Sequence, residues 1–333
     1  MSFKRLETDD FVVSADSITA GLWTDSNTAT ITTFYTSSTQ AAGSSGNYYL
    51  NIYSDATTSS LEFAIAYGNQ QGSGSTAYDL SVDGRTYTST IYGQYRTLVL
   101  GDENSAFIFG GITSSDFWAI SVDRNRYKES LFPGSLTLNI SGSGGTLVLT
   151  DDSQVVNTVS YNDAGRVFQL VSGSAGSINT TNANGYSATS GSYGWFLPDI
   201  STILLNPLAV SSSVGVTPSR TSGSAASGDN NSRLYRGIFS GSTFTLNSQE
   251  TITSDYVFVR PRSSEFNYSE NPSYISGSTG EVLYSSFINN PISYVTTVGL
   301  YNDTNELLAV AKLSKPLQKD FTKEALIRIK LDF

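Results

Sequence analysis

Apolar and polar residues alternate along this chain in short runs, and Ser, Thr, Gly and Asn separate one run from the next. A period of two puts successive side chains on opposite faces of a strand and leaves no continuous apolar stripe for a helix. The segments "FVVSADSITAGLW" (11–23), "TATITTFYTSS" (28–38), "NYYLNIYS" (47–54) and "LEFAIAYG" (61–68) read as strands, with Ile31, Thr33 and Tyr35 on one face. In "YDLSVDGRTYTSTIYGQYRTLVLG" (78–101) the Asp-Gly of "VDGR" predicts a hairpin between two further strands. "SAFIFGGI" and "DFWAISV" extend the sheet. "DRNRYKESLF" (123–132) carries five charges in its first seven residues and reads as a short surface helix or charged loop, stopped by Pro133-Gly134.

Residues 137–232 hold only seven charged side chains. Strands are predicted at "SLTLNI", "GTLVLT", "VVNTVSY" and "RVFQLVSG", and "WFLPDISTILLNPLAV" (195–210) re-enters the core. Two long stretches of small polar residues, 173–194 and 211–232, read as loops; loops of that length are solvated connectors or carry function. Strands resume at "RLYRGIFSG", "FTLNSQETI" and "DYVFVRPR". A hairpin follows in "YVTTVGLYNDTNELLAVAKL" (294–313), and "EALIRIKLDF" closes the chain with Ile327, Ile329, Leu331 and Phe333 on one face and Arg328, Lys330 and Asp332 on the other. The expected class is therefore all-β, an antiparallel sandwich or barrel with long Ser/Gly loops and little helix. Three regions are expected: an N-terminal β-domain (1–135), a low-charge β-region (136–250) and a C-terminal β-segment (251–333).

The chemistry open to the chain is narrow. It has no cysteine and no histidine, which excludes disulfides, imidazole or thiolate metal sites and Ser-His-Asp or Cys-His nucleophiles. A net charge of −10 opposes binding to nucleic acid or to anionic membranes. The start, "MSFKRLETDD", lacks the apolar segment of a signal peptide, and "ISTILLNPLAV" (200–210) is too short to cross a bilayer, so folding in a cytoplasm is expected. "DDSQ" (151–154) and "YNDTNE" (301–306) offer oxygen ligands without EF-hand spacing and read as turns. The Gly-rich "SGSGG" and "GSGS" do not continue into a phosphate-binding motif. Scattered turn acids give no paired carboxylates for hydrolysis. No cofactor is expected.

Two features suit contact with other chains. Arg260 and Arg262 lie with Glu265 and Glu270 among aromatics, as an Arg–carboxylate network that fixes a loop or as an intersubunit contact. Six of the nineteen basic residues (Lys312, Lys315, Lys319, Lys323, Arg328, Lys330) fall in the last stretch, as a solvated face or as a patch that steers one subunit onto another's acidic surface.

The motifs "IYGQYRTLVLGDEN", "GSYGWFLPDISTILLNP", "SSEFNYSENPSYISGSTGE", "INNPISYVTTVGLYNDTNELLAVAKLSKPLQKDF" and "EALIRIKLDF" occur in order. With them, the chain from near Phe3 to Phe333 resembles virion structural proteins of contractile-tailed phages of marine cyanobacteria. The resemblance implies a particle component of the tail, baseplate or neck, located in the virion, with other virion proteins and copies of itself as partners and no catalytic residues. Arg260, Arg262, Tyr301, Lys312, Ile327, Ile329, Leu331 and Phe333 are the expected interface residues, since a terminal strand with one apolar face can complete a neighbour's sheet as well as its own. The alternative is a fibre-type module binding a host-surface glycan, with Tyr186 and Trp195 on exposed loops.

Overall fold

The structure, a computed structural model, describes residues 3–28, 35 and 36, 49–54, 60–74, 86–179, 185 and 186, 189–220 and 229–332. Most of the expected strand at 28–38, the "VDGR" turn and Phe333 lie outside these residues. Strands make up 44% of the chain and helices 18%, so the protein is all-β in character, with a large curled antiparallel sheet. Contacts divide the chain into two units, residues 17–250 and residues 1–16 with 251–333.

In the larger unit the strands are β2 (Tyr35–Thr36), β3 (Tyr49–Tyr53), β4 (Leu61–Asn69), β5 (Phe107–Phe109), β6 (Ile112–Ser114), β7 (Asp116–Val122), β8 (Ser130–Leu131), β9 (Thr137–Gly142) and β10 (Gly145–Asp151). They continue with β11 (Ser160–Asn162), β12 (Gly165–Ser174), β13 (Ser177–Ile178), β14 (Gly194–Leu197), β15 (Thr202–Leu205) and β16 (Phe244–Thr245). The main sheet runs β16-β9-β10-β12-β14-β15-β7-β4-β3-β2. Each described pairing along it is antiparallel, Ile203 lying opposite Ile120 and Ile65 opposite Ile120 on its other side. Its central strands are buried on both faces, which explains why "DFWAISV", "WFL" and "TILL" are apolar without interruption. Trp118, Ile120, Ile203, Leu205 and Phe196 point to one core, and Phe117, Ala119, Leu204, Trp195 and Leu197 to the other.

Helices cover both faces. α1 (Tyr87–Leu100) brings Ile91, Tyr92 and Val99 to the second core, whereas α2 (Pro207–Val214) and α3 (Asp229–Gly241) bring Ala209, Val210, Leu234 and Ile238 to the first. These helices correct the sequence reading, which placed strands at "TYTSTIYGQYRTLVL" and "RLYRGIFSG" and a loop from 211. Tyr, Thr, Ile and Val favour strands, yet in α1 the buried residues Thr88, Ile91, Tyr92 and Val99 recur at helical spacing, and the end is set by Gly101 in the left-handed region (φ 72°). In α2, Asn206 caps Leu208 N–H and Pro207 takes the first helical position. The charged stretch 123–129 forms the short 3-10 turn Arg124–Arg126, capped by Asp123.

The strands of the smaller unit are β17 (Asn247–Val259), β18 (Ser293–Tyr301), β19 (Leu307–Lys319) and β20 (Ile327–Asp332), with a short helix α4 (Ser285–Asn289). β17 runs on from the larger unit, and its residues Ser254–Val259 pair with β20, Val257 lying opposite Ile329. β1 (Phe11–Gly21) joins the same sheet, in the order β1-β17-β20. The β18–β19 hairpin forms a separate two-stranded sheet. Val257, Ile327 and Ile329 form the centre of this unit's core, against which Val295, Val298, Leu300, Ala311, Leu313 and Leu317 of the hairpin pack.

Candidate assembly surface

The acidic sites considered first are structural. Asp151 is fully buried, both its carboxylate oxygens accept from Gly134 N–H at 2.9 Å, and Oδ1 accepts from Ser153 N–H at 3.2 Å. Asp152 Oδ1 accepts from Gln169 N–H at 2.9 Å. These bonds tie turns to the sheet. Among the described residues no three acidic side chains cluster as a metal site would require. In "YNDTNE" the Asn302 Oδ1 accepts from Thr304 N–H and Glu306 N–H at 3.1 and 2.8 Å, so that oxygen closes the hairpin turn.

Burial, and secondarily the Asp151 charge, raise Asp152 to about 6. Its folded-state value exceeds its unfolded one, so the folded state holds the proton more tightly between about pH 4 and 6. The associated stability is full below pH 4 and is lost as pH rises through 6. Asp152→Asn, which keeps an acceptor for Gln169, is therefore expected to stabilise the protein at pH 7.5 by ~1 kcal/mol, after discounting for partial exposure, and by nothing at pH 4. Thermal melts at the two pH values check this; equal gains at both would refute it.

The aromatic residues expected on exposed loops are elsewhere. Trp195 lies in β14 with its ring at 5.2 Å from Phe109, and Tyr186 packs partly buried against the first core. Neither presents a free ring to a glycan.

The smaller unit has a different balance. It holds less than a third of the residues, yet carries fifteen of the twenty-three exposed large apolar side chains found among the described residues, and only four buried ones. On β1 the consecutive residues Phe11, Val12 and Val13 are exposed on both faces of the strand, Val13 at 68%. On the hairpin, Ala309, Ala311 and Leu313 turn inward while Leu308, Val310 and Lys312 turn out, Leu308 at 68% exposure. The run "LLAVA" is thus apolar on both faces, as in strands covered on both sides, but one side is open here. Tyr294 and Tyr301 are exposed on the paired strand. Tyr301 meets Phe3 edge-on at 5.3 Å and lies over Gly299, where a Cβ would stand 2.9 Å from its ring. Exposed apolar side chains that lie together in this way are a candidate surface for docking.

The expected interface residues distribute unevenly over this surface. Tyr301 and Lys312 are exposed on the hairpin, Lys312 opposite Thr297. Arg260 and Arg262 are exposed, and the Glu265 carboxylate accepts from Lys4 Nζ at 2.8 Å and from the main-chain N–H of Arg262 at 2.8 Å. Ile327 and Ile329 are buried in their own unit, and Leu331 is half-buried beside them. Phe333 lies outside the described residues. The basic tail is also less open than its composition implies, because Lys319 is fully buried and donates to Ser263 O, Asn267 Oδ1 and Asp320 O at 2.9, 2.9 and 3.0 Å. That lysine anchors the end of β19 to the 263–267 loop. The sequence reading missed the exposed Leu308 and Val310; the two-faced apolar run was the signal for them.

Comparison with protein-family models, with curated proteins and with solved structures found no match.

Proposed function

We propose that the chain is a structural subunit of a contractile-tailed phage particle, of its tail, baseplate or neck, which assembles with other virion proteins and with copies of itself. The observation that supports this most is the smaller unit's surplus of exposed apolar side chains over buried ones. A surface of this kind costs solubility and gains stability only when covered. The buried, hydrogen-bonded state of the paired acids agrees with a role in assembly rather than turnover. The motif-by-motif resemblance to virion proteins supplies the particle.

Immunogold labelling of purified particles tests the reading: label at the neck or upper tail makes the chain a joint, and label at the distal tail makes it a baseplate part. Absence of the chain from the proteins of purified particles would sink the reading. Leu308→Asp with Val310→Asp changes only exposed side chains. It is expected to leave the fold intact and to reduce incorporation into particles at least tenfold, as quantified by mass spectrometry.

A further inference from the structure

The segment Phe3–Glu7 lies against the smaller unit without joining its sheets. Among the described residues its main chain makes hydrogen bonds only in the 3-10 turn that ends it (Thr8–Asp10), where Glu7 N–H donates to Asp10 Oδ2 and Asp10 N–H to Glu7 O, both at 3.0 Å. Burial alternates along it: Lys4 and Leu6 are partly buried, whereas Phe3, Arg5 and Glu7 are exposed. Three side chains hold the segment: Lys4 Nζ donates to Glu265 Oε2 at 2.8 Å, Leu6 packs against the core of Val257, Ile327 and Ile329, and the Phe3 ring meets Tyr301 edge-on while remaining 59% exposed. The surface beneath does not depend on the segment. Glu265 also accepts from Arg262 N–H, and its loop is fixed from behind by Lys319 Nζ on Asn267 Oδ1 and by Ser293 Oγ on Phe266 O. Phe266 is held there in the left-handed region (φ 56°), which a bulky side chain rarely adopts, so those bonds and not local preference set the loop.

We propose that residues 3–7 are a displaceable strap, which covers Tyr301 in the free chain and is displaced when a partner subunit docks on the hairpin. The proposal rests on the assembly reading and adds a control to it. A partly exposed ion pair and one edge-on ring pair are weak contacts, and ordering the backbone of the strap opposes them. Bound and released strap therefore lie close in free energy, and a surface that binds only the released form draws the chain toward it. The strap covers the end of the hairpin where Tyr301 lies opposite the exposed Leu307, and Leu308 and Val310 beside it stay open. A partner that covers those residues meets the strap at its edge and competes with Phe3 for Tyr301. Because the anchoring loop keeps its own bonds, release stays local and leaves the sheet of β17 and β20 intact.

The test uses the full chain. Because it has no cysteine, Arg5→Cys carries a single nitroxide label at an exposed position of the strap. The label is expected to show restricted motion in an otherwise unchanged chain. Adding Phe3→Ala with Lys4→Glu, which removes the ring contact and sets like charges at Glu265, is expected to make it freely mobile while β17 and β20 keep their amide protection. A label equally mobile with and without the two substitutions overturns the strap. The unlabelled Phe3→Ala, Lys4→Glu chain is then expected to enter particles at the wild-type level or above it, as quantified by mass spectrometry, since the docked form no longer uses these contacts. Incorporation reduced at least about tenfold would make Phe3 and Lys4 part of the particle contact itself and overturn the displacement. If the double variant loses protection in β17 and β20, Phe3→Ala alone is measured in the same two ways and decides. Absence of the wild-type chain from particles sinks the assembly reading and the displacement with it; the wild-type control thus separates that failure from failure of the strap, which is read in the free chain.

Discussion

Deleting residues 327–333 is expected to leave the C-terminal unit unfolded, whether or not a particle is present. β20 supplies two of the four buried apolar side chains among the unit's described residues and a six-residue ladder to β17. Ile329 faces Val257 across that ladder, and the hairpin residues Val298, Ala311 and Leu313 rest on the same small core. Ile329→Ala alone should cost ~2–4 kcal/mol, because the lost transfer energy adds to that of a cavity that few neighbours can fill. A core this small has no reserve against that loss. Amide hydrogen exchange is the measurement: residues 251–332 should lose protection in both variants while the central strands of the larger unit keep theirs. Full protection of β17 in the deletion variant would show that β20 is not part of the unit's core. A deletion of this kind reports on folding and not on docking, which is why the particle experiment changes Leu308 and Val310, side chains that the single chain leaves in solvent.

The same contrast shows what could be read from the residues. The alternation of Ile327 and Ile329 with Arg328 and Lys330 identified a half-buried strand correctly. Alternation says that a face is covered but not by whose residues, and the covering residues here are the chain's own. The continuous apolar runs of β7, β14 and β15 were legible because both faces of those strands are buried. α1 and α3 were not, since their residue types favour strands and the deciding factor is tertiary burial at positions such as Ile91, Tyr92 and Val99, or Asn230, Leu234 and Ile238. Two local signals did point to helices: Asn206-Pro207 as cap and first turn, and Gly101 as terminator. The assembly surface was legible only in part. Tyr301 and Lys312 are on it, but the outward Leu308 and Val310 become informative only once the inward Ala311 and Leu313 are seen to pack against the core. Lys319 looked like any other basic residue near the end of the chain; its burial depends on a loop far away in sequence.

Asp116→Ala is expected to cost the larger unit ~2–3 kcal/mol. Asp116 is buried at the start of β7, and its Oδ2 accepts from the Tyr67 hydroxyl and from Arg220 Nε, both at 2.7 Å. Burial first, and the Asp116 carboxylate second, raise the Tyr67 phenol above its ordinary value. Removing the carboxylate strands a buried hydroxyl and releases Arg220, whose side chain is partly solvated, so the cost stays below that of a fully enclosed pair. Asp116→Asn keeps an acceptor for one donor and should cost about half as much. Urea unfolding followed by tryptophan fluorescence reads the effect directly, since the Trp118 ring lies 5.9 Å from that of Tyr67. A loss below about 0.5 kcal/mol for the alanine variant would mean that water replaces the carboxylate without penalty. The sign of the alkaline limb follows from the same geometry. A phenol raised in the folded state contributes stability that is complete below about pH 10 and is lost as pH climbs through the folded value. Because burial is the first cause of that rise, the alanine variant should keep most of this alkaline sensitivity while losing stability at neutral pH, which separates the ion pair's contribution from that of the core around it.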